Sequence, residues 1–567
     1  MTTITEGEVA RRRDALERTV EGWTPRSLAA AFDVAAYRYG ERPYVITDAG
    51  SLSYAEVAER SRRLAAGLLE AGVRPGDRVA LLLDNRLDYP VVKFAIARVG
   101  AIAVALNYSY RGDEIVDRLR QAGASMLISI DASVATDFLA LFDERFPGWE
   151  SGVESSEVPS LGAIVLTESA WREGAMTVPG LLRDDRSGRV DAVTATIEPD
   201  AVADIVFTSG TTGHALGAEL THDMLLRSAY GSAYHRAFDD GWRVGFALPL
   251  YHVFGYVEGM LAAMFAGGAI VPQRVFNPRT TLELIQEHRI NEVLFVPTMT
   301  VSVVDQAVKG DYDLSSLQSV FSAAAPAPVW LWKRVLSDLR PQMVFTGYGQ
   351  TEVSAATALT LPGDPIELVS AVVGTTKLGG AAAEGTGIPD GRLAQYRTVD
   401  PFDGSELAPG ESGELSVRGP QVTRGYIGDP EQTALSIDSE GWLRTGDLGF
   451  VDADGYLHLS GRSKELFKVG GELVAPAEVE LVLTAADGVS QAFVAGVPDD
   501  RYGEVGWAWI VPGEDATIDH GALLAHARAH LAPFKVPRGL TIVTVEELPM
   551  TTTGKVQKYL LVQTLAR

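Results

Sequence analysis

The stretch "RVALLLDNRLDYPVVKFAIARVGAIAVAL", residues 78–106, indicates the fold class. It begins and ends with a short aliphatic run, "RVALLL" and "AIAVAL", each with the length and composition of a buried strand. The segment between the two runs is helical in character, and two strands joined through a helix form a βαβ unit with parallel strands. The stretch therefore predicts an α/β protein.

The same alternation of strand-like and helical segments continues along the chain. Its further members are "TTLELIQEHRI" (280–290), "NEVLFVP" (291–297), "SVFSAA" (319–324), "PVWLWKRVLSDL" (328–339) and "MVFTGYG" (343–349). In parallel sheets of this kind, ligands usually lie beyond the carboxyl ends of the strands. Three glycine-rich turns fall at such points, namely "FTSGTTG" (207–213), "FTGYGQTE" (345–352) and "WLRTGDLG" (442–449).

The pattern changes after about residue 400, where "DPFDGSELAPGESGELSVRGPQV" (400–422) has hairpin-like alternation and many turn residues. The residues from 461 onward have a separate strand and helix pattern, typical of a small α+β domain. A chain of 567 residues is too long for one ordinary core. We therefore expect an N-terminal domain over residues 1–461, with mostly parallel sheets, helices and a β-rich subdomain, and a C-terminal α+β domain over residues 462–567.

The composition excludes several classes of protein. With 49 basic and 74 acidic residues the net charge is −25, so nucleic acid and an anionic membrane surface are excluded as partners. The chain has no cysteine, which excludes disulfides, thiolate metal sites and a cysteine nucleophile. The first residues are charged throughout and contain no apolar core of a signal peptide. We expect a soluble, cytoplasmic protein.

One apolar segment, "GFALPLYHVFGYVEGMLAAMFAGGAIV" (245–271), has the hydrophobicity of a membrane span. Pro249, His252 and Glu258 interrupt it, and its parts have the character of strand, turn, helix and strand. We therefore predict a buried unit of a water-soluble fold at this position.

Seven motifs follow one another along the chain. They are "FTSGTTG" at 207, "LPLYHVFG" at 248, "FTGYGQTE" at 345, "GELSVRG" at 413, "GWLRTGDLG" at 441, "GRSKELFKVGGELVAPAEVE" at 461 and "LPMTTTGKVQKYLL" at 548. In this order they resemble the adenylate-forming superfamily of acyl-CoA synthetases, peptide-synthetase adenylation domains and luciferases. The resemblance covers nearly the whole chain. It implies that a carboxylate attacks the α-phosphate of ATP to give an acyl-adenylate and pyrophosphate, and that a thiol then displaces AMP.

The resemblance assigns the nucleotide to Thr208, Ser209, Gly210, Thr211, Thr212, Tyr348, Gly349, Asp447 and Arg462. It places the Tyr348 ring against the adenine. Asp447 would accept hydrogen bonds from both ribose hydroxyls, with Arg462 beside it. Thr351 would donate to the α-phosphate, and Glu352 would hold Mg²⁺, which favours carboxylate and phosphate oxygens.

The C-terminal motifs are similar to those that serve both half-reactions of the family. Lys555 would place its ammonium group where charge accumulates between the carboxylate and the α-phosphate. The resemblance makes the small domain a mobile lid with its hinge at Lys464, and it places Gly471 in the tunnel for the pantetheine arm. The implied cofactors are ATP or an acyl-adenylate, coenzyme A and Mg²⁺.

The first motif departs from the family. Members typically have proline and lysine after TSGTTG and one variable residue, and this chain has Ala215 and Leu216. The family lysine meets the β- and γ-phosphates as a point charge, whereas leucine offers neither charge nor hydrogen bond. A hydrogen bond to a charged group contributes about 1.5–3 kcal/mol. We therefore predict a degenerate phosphate loop and an impaired adenylation step.

The substrate class follows partly from the acyl motifs. Amino-acid-activating relatives have an aspartate in the motif that contains His252 here, so an apolar or aryl carboxylic acid is favoured over an amino acid. Three small residues, Ala323, Ala324 and Ala325, keep one wall of the expected acyl pocket thin. The expected partners are a small carboxylic acid or its adenylate and CoA, with no nucleic acid and no membrane. A homodimer and a separate adenylating enzyme stay open as partners.

Four functions remain open at this stage. The first is an acyl-CoA ligase that performs both half-reactions, and the second is an enzyme that only transfers the acyl group from a preformed adenylate to CoA. The third is a non-catalytic binding protein, which the retained Glu352, Asp447 and Lys555 disfavour. The fourth is a stand-alone adenylation domain that loads a carrier protein. His222, at the end of "ELTH", is either a phosphate neighbour or a helix-start histidine.

Overall fold

The computed structural model describes residues 4–20, 22–133, 136–168, 172–185, 187–208, 215–401, 403–462, 465–470, 472–499, 501–513, 516–550 and 556–565. The strands in these ranges are β1 (Pro43–Thr47), β2 (Gly50–Ser53), β3 (Arg78–Leu82), β4 (Ile102–Ala105), β5 (Met126–Ser129), β6 (Ala163–Leu166), β7 (Met176–Thr177), β8 (Val202–Phe207), β9 (Gly217–Thr221), β10 (Val244–Phe246), β11 (Ile270–Pro272), β12 (Glu292–Phe295), β13 (Ser319–Ser322), β14 (Met343–Phe345), β15 (Gly347–Gln350), β16 (Ala355–Leu359), β17 (Thr375–Thr376), β18 (Gln395–Val399), β19 (Gly413–Arg418), β20 (Leu443–Val451), β21 (Leu457–Arg462), β22 (Phe467–Val469), β23 (Glu472–Val474), β24 (Val489–Asp499), β25 (Gly503–Pro512) and β26 (Gly539–Ile542).

The α-helices in the same ranges are α1 (Glu6–Glu17), α2 (Leu28–Tyr39), α3 (Tyr54–Glu70), α4 (Tyr89–Arg98), α5 (Gly112–Ala122), α6 (Phe138–Arg145), α7 (Val178–Leu181), α8 (Arg189–Thr194), α9 (His222–His235), α10 (Ala262–Phe265), α11 (Pro278–His288), α12 (Pro297–Ala307), α13 (Val329–Arg334), α14 (Ile366–Ala371), α15 (Pro430–Ser436), α16 (Pro476–Thr484), α17 (His520–His530) and α18 (Lys558–Leu565). A π-helical segment spans Phe254–Leu261, and a 3₁₀ turn spans Thr351–Val353.

Two large sheets form most of the N-terminal part. Within the described residues, each has seven strands, in the orders β7-β6-β5-β3-β4-β8-β9 and β14-β13-β12-β10-β11-β1-β2. Both sheets are parallel apart from one antiparallel strand at an edge, β9 in the first and β2 in the second. The stretch that indicated the fold class forms β3, α4 and β4, with β3 and β4 parallel.

The remaining sheets are smaller. Among the described residues, β18 to β21 form a four-stranded antiparallel sheet, and β15 to β17 form a three-stranded one. The C-terminal part has the order β23-β22-β25-β24, with β26 parallel to β25, and helices α16 to α18 accompany it. The predicted fold class is confirmed, with a large N-terminal domain of parallel sheets and helices and a small C-terminal α+β domain.

The apolar segment 245–271 forms the end of β10, a turn, the π-helical segment, α10 and β11, as its sequence predicts. Its interrupting residue Glu258 is buried in the π-helical segment. No helix within the described part of the chain has the length and hydrophobicity that a membrane span requires.

His222 is the first residue of α9 and is buried in the core. Thr221 before it caps the helix, because its side-chain oxygen accepts the N–H of Met224 at 3.3 Å. The His222 ring accepts the backbone N–H of Leu28 at Nδ1 over 3.2 Å, so the ring joins α9 to α2. Burial, with a smaller contribution from the charge of Lys93, lowers the pKa of His222 to about 3.

The substitution His222→Gln isolates this titration. A folded-state pKa below the unfolded value means that the stabilisation is present above about pH 6.5 and is lost as the pH falls toward 3. Between pH 7 and pH 5 the free energy of unfolding of the native chain should fall by about 2 kcal/mol more than that of the variant. Urea unfolding midpoints at both pH values measure the difference. Equal drops for the two proteins would show that folding does not lower the pKa of His222.

Candidate nucleotide and acyl site

The pair Asp447 and Arg462 lies at one end of the β20–β21 hairpin. The antiparallel register sets the two residues directly opposite each other. Arg462 Nε lies 3.0 Å from Asp447 Oδ1, and the Asp447 side chain is 7% exposed against 34% for Arg462. A buried carboxylate is costly unless it is paired, so Asp447 depends on such donors.

Strand β15 supplies two further donors to the same carboxylate. The hydroxyl of Tyr348 donates to Asp447 Oδ2 at 2.6 Å, and Gln350 Nε2 donates to the same oxygen at 2.6 Å. Burial and the neighbouring Asp447 charge raise the pKa of the Tyr348 hydroxyl well above its usual range, so the hydroxyl keeps its proton. The structure thus brings the sequence-predicted Tyr348, Asp447 and Arg462 together.

Gly349, between these two donors, is a position that only glycine fits. A Cβ there would lie 1.8 Å from the carbonyl oxygen of Ala355 on the paired strand β16. Any side chain would separate β15 from β16 and displace Tyr348 and Gln350 from Asp447. The glycine therefore serves close strand packing, in addition to the nucleotide contact that the resemblance predicts.

The 3₁₀ turn after β15 carries Thr351 and Glu352. Thr351 is buried, and the hydroxyl of Tyr426 donates to Glu352 Oε1 at 3.1 Å. The Glu352 carbonyl also accepts the N–H of Thr423 at 2.6 Å. Burial raises the pKa of Glu352, against the hydrogen bond from Tyr426. The described residues contain no cluster of three or more acidic or histidine side chains that would hold a metal.

The predicted phosphate loop connects β8 to β9. Thr208 N donates to the Leu216 carbonyl at 2.9 Å and closes the base of the loop. Ser209, Gly210, Thr211 and Thr212 lie outside the described residues. The N–H of Ile427 donates to the Gly217 carbonyl at 2.8 Å, and this bond ties the base of the loop to the segment that contains Tyr426.

One cation lies against the base of this loop. The guanidinium of Arg118, on α5, lies 5.3 Å from the ring centroid of Phe207. Its Nη1 donates to the Ala215 carbonyl at 3.4 Å, and Gln121 Nε2 donates to the same oxygen at 3.1 Å. Leu216 itself brings no charge, whereas Arg118 places a positive charge beside the neighbouring Ala215.

The predicted acyl residues lie around the start of the π-helical segment. His252 is in the turn before it, and its Nδ1 accepts the N–H of Phe254 at 3.2 Å. Burial lowers the pKa of His252 to about 4, so the ring is neutral. The ring of Phe254 contacts that of Phe321 edge-on at 5.1 Å, and β13, which contains Phe321, ends next to Ala323. Ala323 is buried, whereas Ala324 and Ala325 are exposed.

Three predicted residues, Lys464, Gly471 and Lys555, lie outside the described residues. The described residues near two of them are joined by ion pairs. Lys558 Nζ lies 3.0 Å from Glu465 and 2.7 Å from Glu480.

Three residues of the site carried no role in the sequence interpretation. Gln350 lies inside the "FTGYGQTE" motif, and its amide type was the available signal for a donor to a carboxylate. Tyr426 follows the "GELSVRG" motif, and only its aromatic character pointed to a site. No sequence feature indicated a role for Arg118, because a basic residue on an amphipathic helix usually faces solvent.

Family models match both parts of the chain. Residues 32–427 match the family described as AMP-binding enzyme, and residues 478–555 match the AMP-binding enzyme C-terminal domain. The chain belongs to the AMP-binding enzyme family. This confirms the resemblance to the acyl-CoA synthetase branch of the adenylate-forming superfamily.

Two curated relatives of this AMP-binding enzyme are CoA ligases. The (7a-methyl-1,5-dioxo-octahydro-1H-inden-4-yl)propanoyl:CoA ligase of Mycobacterium tuberculosis is 34% identical, over 94% of this chain and 98% of its own. A feruloyl-CoA synthase of Amycolatopsis is 34% identical, over 90% of this chain and 93% of its own. Among solved structures, ATP-bound MatB from Rhodopseudomonas palustris superposes with a TM-score of 0.77 at 26% identity, over 94% of this chain and 98% of its own.

The substitution Asp447→Ala tests the nucleotide assignment. It removes a carboxylate that would accept charge-assisted bonds from the ribose, each worth about 1.5–3 kcal/mol, so AMP should bind at least tenfold more weakly. Calorimetry measures the affinity. Asp452→Ala is the matched control, because Asp452 lies at the other end of the same hairpin and pairs with His458 at 2.8 Å. Unchanged AMP affinity in a folded Asp447→Ala protein would contradict the assignment.

Proposed function

We propose that this AMP-binding enzyme is an acyl-CoA ligase that forms thioesters of apolar or aryl carboxylic acids through an acyl-adenylate, with an impaired adenylation step. The observation that carries the proposal is the convergence of Tyr348, Gln350 and Arg462 on Asp447. Gln350 directly precedes the turn that holds Glu352. Such a set combines an acceptor for ribose hydroxyls with a carboxylate for a metal.

Binding of the ribose requires an exchange of partners at Asp447. A carboxylate offers about four acceptor positions, and three donors already use Oδ1 and Oδ2. Two ribose hydroxyls therefore displace at least one of these donors, and the displaced Gln350 or Tyr348 side chain is then available to the nucleotide. Tyr348 would place its ring against the adenine.

Glu352 would hold Mg²⁺ and Thr351 would donate to the α-phosphate. Metal binding needs the ionised carboxylate, and burial favours the protonated one, so Mg²⁺ binding at Glu352 should strengthen as the pH rises. Lys555 would add electrostatic stabilisation at the reacting carboxylate. We also propose the boundary between residues 461 and 462, with Lys464 as hinge and Gly471 in the CoA tunnel.

The acyl site supports an apolar or aryl acid. His252 is neutral, and no carboxylate stands in its place to pair with a substrate ammonium group. The pocket side built from Phe254, Phe321 and Ala323 is apolar. The relatives named for ferulate and for a bicyclic propanoate agree with this class.

Impaired adenylation rests on Leu216. The lost cation faces the β- and γ-phosphates, which are present only in the first half-reaction, so thioester formation from a supplied adenylate does not depend on it. The second candidate function is thioester formation from a preformed adenylate alone. It applies if the adenylation step is lost completely. Arg118 favours an impaired over a lost adenylation step, because its guanidinium lies near Ala215 and would replace part of the missing charge.

The double substitution Ala215→Pro with Leu216→Lys restores the family residues. ATP–pyrophosphate exchange with a panel of apolar and aryl acids should rise about ten- to hundredfold, as one charged hydrogen bond is regained. Thioester formation from supplied adenylate should stay within a factor of about two.

Two variants complete this experiment. Leu216→Met is the control for a long side chain without charge and should leave exchange unchanged. Arg118→Gln should lower the residual exchange of the native loop if Arg118 replaces the lysine. Robust exchange by the native chain that Ala215→Pro with Leu216→Lys does not raise would contradict the impaired step.

A further inference from the structure

Four charged side chains lie buried beneath the turn that carries Thr351 and Glu352. They are Arg236, Glu258, Glu292 and Lys377, and each is at most 1% exposed. Two are cations and two are anions, so the cluster is neutral as a set. Burial raises the pKa of Glu292 to about 7 and lowers that of Lys377 to about 8, so each charge depends on its partners.

Arg236 connects this cluster to the acyl side of the site. It follows α9, and its Nη1 forms an ion pair with Glu292. Its Nη2 donates to the carbonyl of Glu258 at 2.7 Å. The guanidinium also lies 5.1 Å from the ring centroid of Phe321, the same ring that contacts Phe254 at the acyl site.

Lys377 connects the cluster to α9. Its Nζ donates to the hydroxyls of Ser228 and Ser232, both at 2.9 Å, and lies 3.6 Å from Glu258 Oε1. Ser228 in turn donates its hydroxyl proton to the carbonyl of Ser354 at 2.6 Å. The lysine, the serine and the turn after Glu352 thus form one chain of contacts.

The turn itself has an unfavourable backbone. Ser354 and Ala355 have φ angles of 56° and 87°, and neither residue is glycine. Such conformations persist only where the surrounding structure holds them. Two contacts do so here, the bond from Ser228 to the Ser354 carbonyl and the bond from the Ala356 N–H to Glu258 Oε1 at 3.0 Å.

Glu258 is the member of the cluster that belongs to the acyl-site segment and also bonds to the backbone after the Glu352 turn. It lies one helical turn after Phe254 in the π-helical segment, and its carboxylate holds Ala356, four residues after Glu352. A shift of the acyl-site segment therefore acts directly on the strained turn, through a single hydrogen bond between buried groups.

We infer that Glu258 is a positioning residue, which fixes the Thr351–Ala355 turn against the acyl-site segment so that Thr351 and Glu352 meet the α-phosphate and its metal. The inference rests on the proposed function of these two residues. Glu258 touches no substrate and acts through Ala356 and Lys377.

Two variants separate this role from simple stabilisation. Glu258→Gln keeps an acceptor oxygen for the Ala356 N–H, whereas Glu258→Met with Lys377→Met removes the acceptor and keeps the buried charge balanced between Arg236 and Glu292. The control Asp33→Asn removes the partly exposed carboxylate of an ion pair with the buried Arg98, 2.5 Å long and distant in sequence from the turn. Thermal midpoints rank the loss of stability in all variants.

The readouts are the hydrogen exchange of amides 351–358 and the affinity for a non-hydrolysable acyl-adenylate analogue. The double variant should exchange these amides faster and bind the analogue about tenfold more weakly, which corresponds to roughly 1.4 kcal/mol. Glu258→Gln should stay within about threefold of the native chain, and Asp33→Asn should change neither readout.

Retained analogue affinity in the folded double variant would overturn the inference, and so would an equal loss in Asp33→Asn. Failure of the proposed function gives a different result, since Thr351→Ala would then bind the analogue as tightly as the native chain. If Thr351→Ala binds the analogue more weakly and the double variant does not, the role of Glu258 is refuted and the proposed function is not.

Discussion

The side-chain carboxylate of Asp447 is the group on which the site depends. It is buried, and a buried charge without partners would destabilise the fold, so the chain provides Arg462 from the neighbouring strand and Tyr348 and Gln350 from β15. These bonds join the antiparallel sheet of β18 to β21 to the strand that leads into the Glu352 turn. One carboxylate thereby holds two parts of the fold together, and in the proposed function a nucleotide would compete for the same oxygens.

A second set of charges supports the same turn from below. The neutral cluster of Arg236, Glu258, Glu292 and Lys377 is stable only as a set, because each ion alone would be desolvated without compensation. Its position between the acyl segment and β16 explains why residues in a left-handed conformation persist directly after Glu352. With a net charge of −25, the protein would need local positive groups such as Arg462 and Arg118 to attract phosphates in the proposed function.

The alternation of strands and helices was sufficient to predict the α/β class, and the order of the motifs was sufficient to predict the family. The resemblance placed Arg462 beside Asp447, as the structure has it, and assigned Tyr348 to the adenine, but it did not predict the hydroxyl bond from Tyr348 to Asp447. Contacts such as that of Glu258 with Ala356, 98 residues apart, could not be predicted, because they arise from tertiary packing and not from local pattern. The arginine beside Ala215 was missed for the same reason.

The rates of the two half-reactions in the native chain decide whether its adenylation step is impaired. One reaction receives an apolar or aryl acyl-adenylate with CoA, and the other receives the same acid with Mg·ATP and CoA, and thioester formation is followed in both. Because Leu216 affects only the step with pyrophosphate, the first reaction should be at least about tenfold faster than the second. Equal rates would contradict an impaired adenylation step and show that the loop serves ATP without its lysine.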